Sequence, residues 1–392
     1  MRSLLSGALA LFLTMVSSAW AQDKLDIRMA YVSQEMEMPP VLSNIEERPD
    51  DLGWQGVKVA LKDNNTTGRF LKQSFSVEDA RLREDEDAVA AVKAMIDKGH
   101  KLLILDLPAK VFKKVVDGVK ETDVLFFNVQ AQANDLRQNA CDKRVLHTIP
   151  SRAMLTDALT QYLVKKRWNK WFLIAGQREG DQLFAASLKR SAKKFGAKIV
   201  VDKKWDGGRD ARRTAQAEVP LLTQGKDYDV LMVADELGDF GEYMMYRTFD
   251  PRPVAGTQGL FPTAWYWTVE QWGAAQLQKR FYKKAKRRMI GRDYAAWAAV
   301  RTIGEAATRT KSNDYKTLNA YIRGSEFELA AFKGRKLSYR SWSGQLRQPV
   351  AVTAARSLVA QPPLEGFMHQ SNELDTLGFD QPETTCKMDS SQ

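Results

Sequence analysis

The chain has 392 residues, with 59 Lys and Arg against 48 Asp and Glu, giving a formal charge of +11. Its 44% hydrophobic and 27% charged residues exclude a disordered, collagen-like or coiled-coil chain, and the length suits two lobes of roughly 100–200 residues each. The basic excess points to an anionic partner, whether nucleic acid, a lipid surface or a small acidic ligand.

Residues 1–21 read as a cleavable export signal. Met1-Arg2 is a short positive start, Leu4 to Val16 an apolar run, and Ala19-Trp20-Ala21 a cleavage site of small residues before Gln22. The run is shorter than the ~20 residues of a membrane span. Removing the signal removes Arg2 and leaves +10. The expected location is the periplasm. There, Cys141 and Cys386, the only cysteines, meet an oxidising compartment that favours a disulfide, with two buried free thiols as the other reading. Only His100, His147 and His369 could join them at a metal, and none has the close spacing of a zinc motif. No metal or catalytic cofactor is expected.

From Leu25 the pattern alternates strand and helix. Strands are expected at Leu25–Val32, Phe70–Val77, Leu102–Leu105 and Val124–Phe127, with helices over Leu52–Lys62, Glu84–Lys98 and Ala109–Lys120. Such a series implies a parallel sheet with helices on both faces. It restarts at Pro150-Ser151. A helix runs to Lys166, strands cover Trp171–Ala175, Lys198–Val201 and Asp227–Val233, and helices cover Gln182–Phe195 and Gly238–Tyr246. Helices then follow over Glu270–Lys286, Arg292–Thr308 and Tyr315–Arg323. Short strands follow at Val350–Thr353 and Leu364–His369. The fold class is α/β, two doubly wound parallel-sheet lobes with a ligand cleft between them. The first lobe is assigned 22–149 plus about 268–335, the second 150–267 plus about 336–375, and the tail 376–392.

The chain lacks a G-x-S-x-G elbow and a P-loop, so nothing points to an enzyme. Ligands of doubly wound sheets sit at the carboxyl ends of the strands. Candidates there are Ser33, Asn128, Arg178 and Asp235, joined by Arg137, Lys143 and Arg152 from the following segments. Arginines can hold carboxylates by paired, charge-assisted bonds. Trp265 and Trp267, in Thr263-Ala-Trp-Tyr-Trp267, could offer a flat stacking surface, although core packing would also explain them. Lys279–Arg288 has seven basic residues in ten. In an exported chain this reads as a solvated, docking or steering face, not a nucleic-acid site.

Gly53–Gly68 and Asp293–Val300 resemble segments of type I periplasmic solute-binding proteins, the branched-chain amino-acid receptors among them. The resemblance implies two lobes, three crossings, a monomer and delivery of ligand to an ABC permease. Asn134–Arg137, Val145–Arg152, Pro262–Trp265, Glu365–His369 and Leu374–Phe379 are similar to a subgroup associated with pyrroloquinoline-quinone-dependent alcohol catabolism. That similarity implies pyrroloquinoline quinone as ligand and a quinoprotein dehydrogenase as a possible further partner. Asp106-Leu-Pro-Ala109 lacks the Gly-Ser turn of the amino-acid receptors. A receptor for an amino acid or an alcohol-derived metabolite is the runner-up. An accessory delivery protein without transport is the alternative of another class.

Overall fold

The computed structural model describes residues 24–39, 49–206, 211–386 and 388. The expected signal over 1–21 lies outside the described residues. The first lobe runs β1 (Leu25–Gln34), α1 (Trp54–Gly68), β2 (Gln73–Leu82), α2 (Ala88–Asp97), β3 (Leu102–Asp106), α3 (Ala109–Gly118), β4 (Leu125–Asn128) and β5 (Val145–His147). These strands form one parallel sheet in the order β2-β1-β3-β4-β5. Successive side chains of β1 show why the sheet is covered twice. Ile27, Met29 and Tyr31 enter one core, and Ala30 and Val32 enter the other.

The second lobe continues with α4 (Arg152–Lys165), β6 (Lys170–Ala175), α5 (Glu179–Phe195), β7 (Lys198–Lys204), α6 (Ala211–Leu222), β8 (Val230–Ala234) and β9 (Val254–Gly256). Its parallel sheet has the order β7-β6-β8-β9. Trp171 and Leu173 of β6 face one core, and Phe172 and Ile174 the other. Ser151 caps α4 by accepting the Met154 N–H.

After β10 (Phe261–Thr263) the chain returns to the first lobe with α7 (Ala274–Ala285), α8 (Gly291–Thr310) and α9 (Tyr315–Arg323). The alanines of α8 let α1 approach closely, and Asn64 donates to the Val300 carbonyl at 2.9 Å. The remaining strands are β11 (Leu329–Ala330), β12 (Lys336–Tyr339), β13 (Leu346–Arg347), β14 (Ala351–Ala354) and β15 (Ser357–Ala360). Leu337, Tyr339 and Leu346 join the core of the first lobe, and Val350 and Val352 that of the second. Ala351, between them, faces the first-lobe core, so β14 contributes to both. Trp265 and Val269 also belong to the first-lobe core.

Three local readings differ from the sequence pattern. The strand expected at Phe70–Val77 starts at Gln73, because Phe70 and Leu71 are exposed turn residues. Gly238–Tyr246 holds only a 3-10 turn, Gly241–Tyr243, because Asp235 captures the backbone N–H groups from 238 to 241. Leu364–His369 is turn and coil, not strand. Among the described residues, no helix is long and apolar enough to cross a membrane.

Candidate ligand-binding site

Parallel strands put their carboxyl ends, and the amino ends of the helices that follow, on one side of each lobe. The two lobes present these sides to each other. Lys110, in the first turn of α3, reaches across to Glu179, the first residue of α5, at 2.5 Å. Helix amino ends carry partial positive charge, so the cleft is predisposed to an anion.

On the first lobe, Ser33, Arg81 and Asp106 are neighbours across β1, β2 and β3. Asp106 is fully buried. It accepts the Tyr31 hydroxyl at 2.5 Å and the Arg292 Nε at 2.5 Å. Burial opposes the Arg292 charge, but Asp106 outweighs it and holds the guanidinium above its ordinary range. The Arg292 side chain is 25% exposed. Among the described residues its two Nη groups take no hydrogen bond, so a fork of donors remains available. Trp54, at the start of α1, packs on Tyr31 with ring centres 5.2 Å apart. Arg81 and Lys58 lie 5.3 and 5.6 Å from its ring. Gly53 makes this cluster possible, with φ +76° and a missing Cβ that would stand 2.2 Å from Asp106 Oδ2.

On the second lobe, Arg152 makes a paired bond to Glu236, both contacts at 2.6 Å. Asp181 lies buried beneath, accepting the Glu236 N–H at 2.8 Å. Burial pushes its carboxyl up to about 6; the Glu236 N–H opposes that rise, and the charges of Asp235 and Glu236 add to it. The folded chain thus binds this proton more tightly than the unfolded chain, whose Asp titrates near about 4. Stability from this group is present at low pH and is lost as pH rises through about 6. Compared with Asp181→Asn, the wild type is expected to gain stability between about pH 7 and about pH 5. Urea unfolding at both pH values checks this; a constant difference between the two proteins refutes it.

Most of the residues expected to bind ligand are already engaged. Arg137 is buried and spends its donors on Gln345 and on the carbonyls of Ala131, Ala133 and Ile149. Burial drives its pKa down to about 9. It rivets the crossing segments and is not a free cation. Asn128 bonds Ala131 and His147. Asp235 is filled by four N–H groups, and Arg178 pairs with Asp239 at the exposed rim. Lys143 precedes β5 and so sits at the opposite end of the sheet from the cleft. Trp265 is 1% exposed and stacks on Tyr294, with ring centres 4.8 Å apart and planes 8° apart. Trp267 has the Arg288 guanidinium 3.4 Å from its ring centre. Trp265 is thus buried in the core, while Trp267 is half-buried with Arg288 over its ring. Of the expected set, Ser33 stands at the carboxyl end of β1 beside Asp106, and Arg152 opens α4 in its pair with Glu236.

Arg292 and Trp54 were not among the sequence candidates. One signal for Arg292 exists in the sequence. A cation in the first turn of a helix opposes the helix dipole, so its place beside Asp293 calls for a tertiary partner. Nothing comparable marks Trp54. Cys141 and Cys386 are joined in a disulfide. Among the described residues, no cluster of His, Cys, Asp and Glu suits a metal ion.

A family model described as periplasmic binding protein matches residues 51–226. The chain superimposes on a branched-chain amino acid ABC transporter periplasmic ligand-binding protein from Burkholderia xenovorans. The TM-score is 0.73 at 14% identity, over 93% of this chain and all of that one. It also matches an ABC transporter solute-binding protein from R. palustris in complex with benzoate. There the TM-score is 0.66 at 12% identity, over 92% of this chain and 99% of that one. For a branched-chain amino acid transporter substrate-binding protein from Streptococcus pneumoniae in complex with isoleucine, the values are 0.63 and 15%, over 86% and 100%. No curated protein matches. The chain therefore has the fold of the type I periplasmic binding proteins, two parallel-sheet lobes with crossings between them.

Proposed function

We propose that this chain is the periplasmic substrate-binding protein of an ABC-type import system, and that it closes on a planar polyanion, pyrroloquinoline quinone. The observation that carries this reading is the Arg292 fork, held at the cleft by Asp106 with its Nη donors unspent. A guanidinium in that state matches a carboxylate in plane. Trp54, flanked by Arg81 and Lys58, supplies a ring and two further cations. Two of the solved proteins of this fold are in complex with carboxylates, isoleucine in one and benzoate in the other. The quinone itself rests on the resemblance of Val145–Arg152, Pro262–Trp265 and the 365–379 region, together with this chemistry. Hinge closure about the crossings would bring Arg152 and Glu236 of the second lobe to the same ligand. Delivery then runs to the permease, with a quinoprotein dehydrogenase as a further recipient.

Titration with the quinone is expected to quench tryptophan emission saturably, at micromolar concentration or below. Binding of an amino acid with no response to the quinone would move the reading to an amino-acid receptor. Arg292→Lys keeps a charge beside Asp106 and removes the fork. It is expected to weaken quinone binding about 10–100-fold, the value of one or two bonds to a charged group, with little change in melting temperature. An unchanged Kd takes Arg292 out of the site.

A further inference from the structure

Helix α7 and the turn after it form a basic face that neither the core nor the cleft accounts for. No acidic residue occurs between Glu270 and Asp293. Ala274, Leu277 and Phe281 are the buried stripe of α7. Arg280 and Arg287 turn back to Asp63, Asp51 and Asp293. Arg288 lies on Trp267. What remains is Lys279, Lys283, Lys284 and Lys286, all exposed, with no carboxylate in salt-bridge range among the described residues. Lys58 and Lys62 of α1 extend the face, and Lys284 is close enough to Lys58 to help lower its pKa, after burial. The carboxyl end of α7 attracts cations and explains lysines in its last turn. It does not explain Lys279 or the α1 lysines. Tyr282, 55% exposed, stands among them, and Trp272, 48% exposed, precedes the helix.

We infer that this face docks the protein on anionic phospholipid bilayers. The exposed cations are lysines, compact charges on flexible stems that suit a diffuse layer of headgroups. A protein partner with ordered carboxylates would favour the rigid fork of arginine, and the arginines here already have partners, Arg280 and Arg287 in ion pairs and Arg288 on Trp267. Exposed Trp and Tyr beside a lysine cluster are the side chains that settle at the headgroup level. The face centres on the four lysines of α7 and the turn after it, and shares Lys58 with the proposed ligand cluster; the variants below leave Lys58 unchanged, so docking goes beyond the proposed ligand and does not require it. For an exported chain the consequence is a search along a membrane surface instead of through the full volume around it.

The test is cosedimentation with vesicles at low salt. The protein is purified after export and its N-terminus is checked by mass spectrometry. Wild type is expected to pellet with phosphatidylglycerol-containing vesicles, to stay in solution with pure phosphatidylcholine, and to be released by salt. The variant Lys279→Glu/Lys283→Glu/Lys284→Glu/Lys286→Glu is expected to lose binding, by roughly fivefold for each lysine removed. A control with the same net charge, Lys165→Glu/Lys193→Glu/Lys198→Glu/Lys226→Glu on the second lobe, is expected to retain most of it. Equal losses in the two variants would reduce the effect to net charge and overturn the inference. So would no binding by wild type, the result expected if an acidic protein is the partner, or equal binding to phosphatidylcholine. Circular dichroism checks folding. Should the fourfold variant unfold, Lys283→Gln/Lys284→Gln is expected to show the partial loss that two lysines predict, and full binding by that variant overturns the inference equally.

Discussion

Asp375→Ala is expected to destabilise the protein by about 3–5 kcal/mol, the usual result of leaving buried cations without their partner. Asp375 is 4% exposed. It accepts Arg340 Nε at 2.8 Å and Arg347 Nε at 2.8 and 3.1 Å. Arg340 is equally buried and also holds the carbonyls of Leu374, Leu377 and Phe379. This knot lies where β12 and β13 of the first lobe meet a segment whose Leu377 packs in the second-lobe core. Loss of Asp375 therefore strikes the hinge region as well as the fold. Urea unfolding followed by circular dichroism measures the change; a difference under about 1 kcal/mol would place the pair among ion pairs of surface value. Asp375→Leu/Arg340→Met is expected to cost less than Asp375→Ala, because the more deeply buried cation is removed with its partner and only Arg347, 14% exposed, is left unpaired.

Removing the Cys141–Cys386 disulfide is expected to cost about 2–5 kcal/mol. The two residues are 245 apart in sequence, so the bond restricts the unfolded chain strongly, and the chain-entropy model puts the effect near the upper value. The folded state is affected too. Before Cys386, Glu383 pairs with Arg190 and Lys194 of α5 in the second lobe. Cys141 belongs to the loop leading into β5 of the first lobe. The disulfide is thus a fourth covalent link between lobes, added to the three crossings. Cys141→Ser/Cys386→Ser is expected to lower the unfolding midpoint and to raise hydrogen exchange over 380–386. Reductant should reproduce both effects in the wild type. A midpoint unchanged by either would mean that the tail's ion pairs hold it alone.

Much of the fold is legible in the sequence because two-sided burial leaves a plain mark. Leu102–Leu105 and Trp171–Ala175 are continuous apolar runs too short for a helix, the pattern of a strand covered on both faces. The helices between them show an apolar stripe of period 3.6. The site is less legible. Arg137, Asn128, Arg178 and Asp235 have the right chemistry for a ligand and stand near strand ends. Each was available in the sequence as a donor or an acceptor, and in the fold each finds carbonyls, N–H groups or a carboxylate within reach. A buried polar group must be satisfied, and loops near a cleft offer many partners that local pattern does not reveal.

The amino-acid sequence by itself determines the alternation of strands and helices, the restart at Pro150-Ser151, and the charge of +11 that persists as a basic face on α7. These depend on neighbours within a few residues, or on simple composition. Tertiary structure alone decides which cations stay free. Arg292 meets Asp106 across 186 positions and keeps its Nη fork, while Arg137 meets Gln345 across 208 and keeps nothing. Whether a guanidinium binds a ligand or braces a hinge is set by which acceptors the fold brings within about 3 Å, and that distance is not written in the order of the residues.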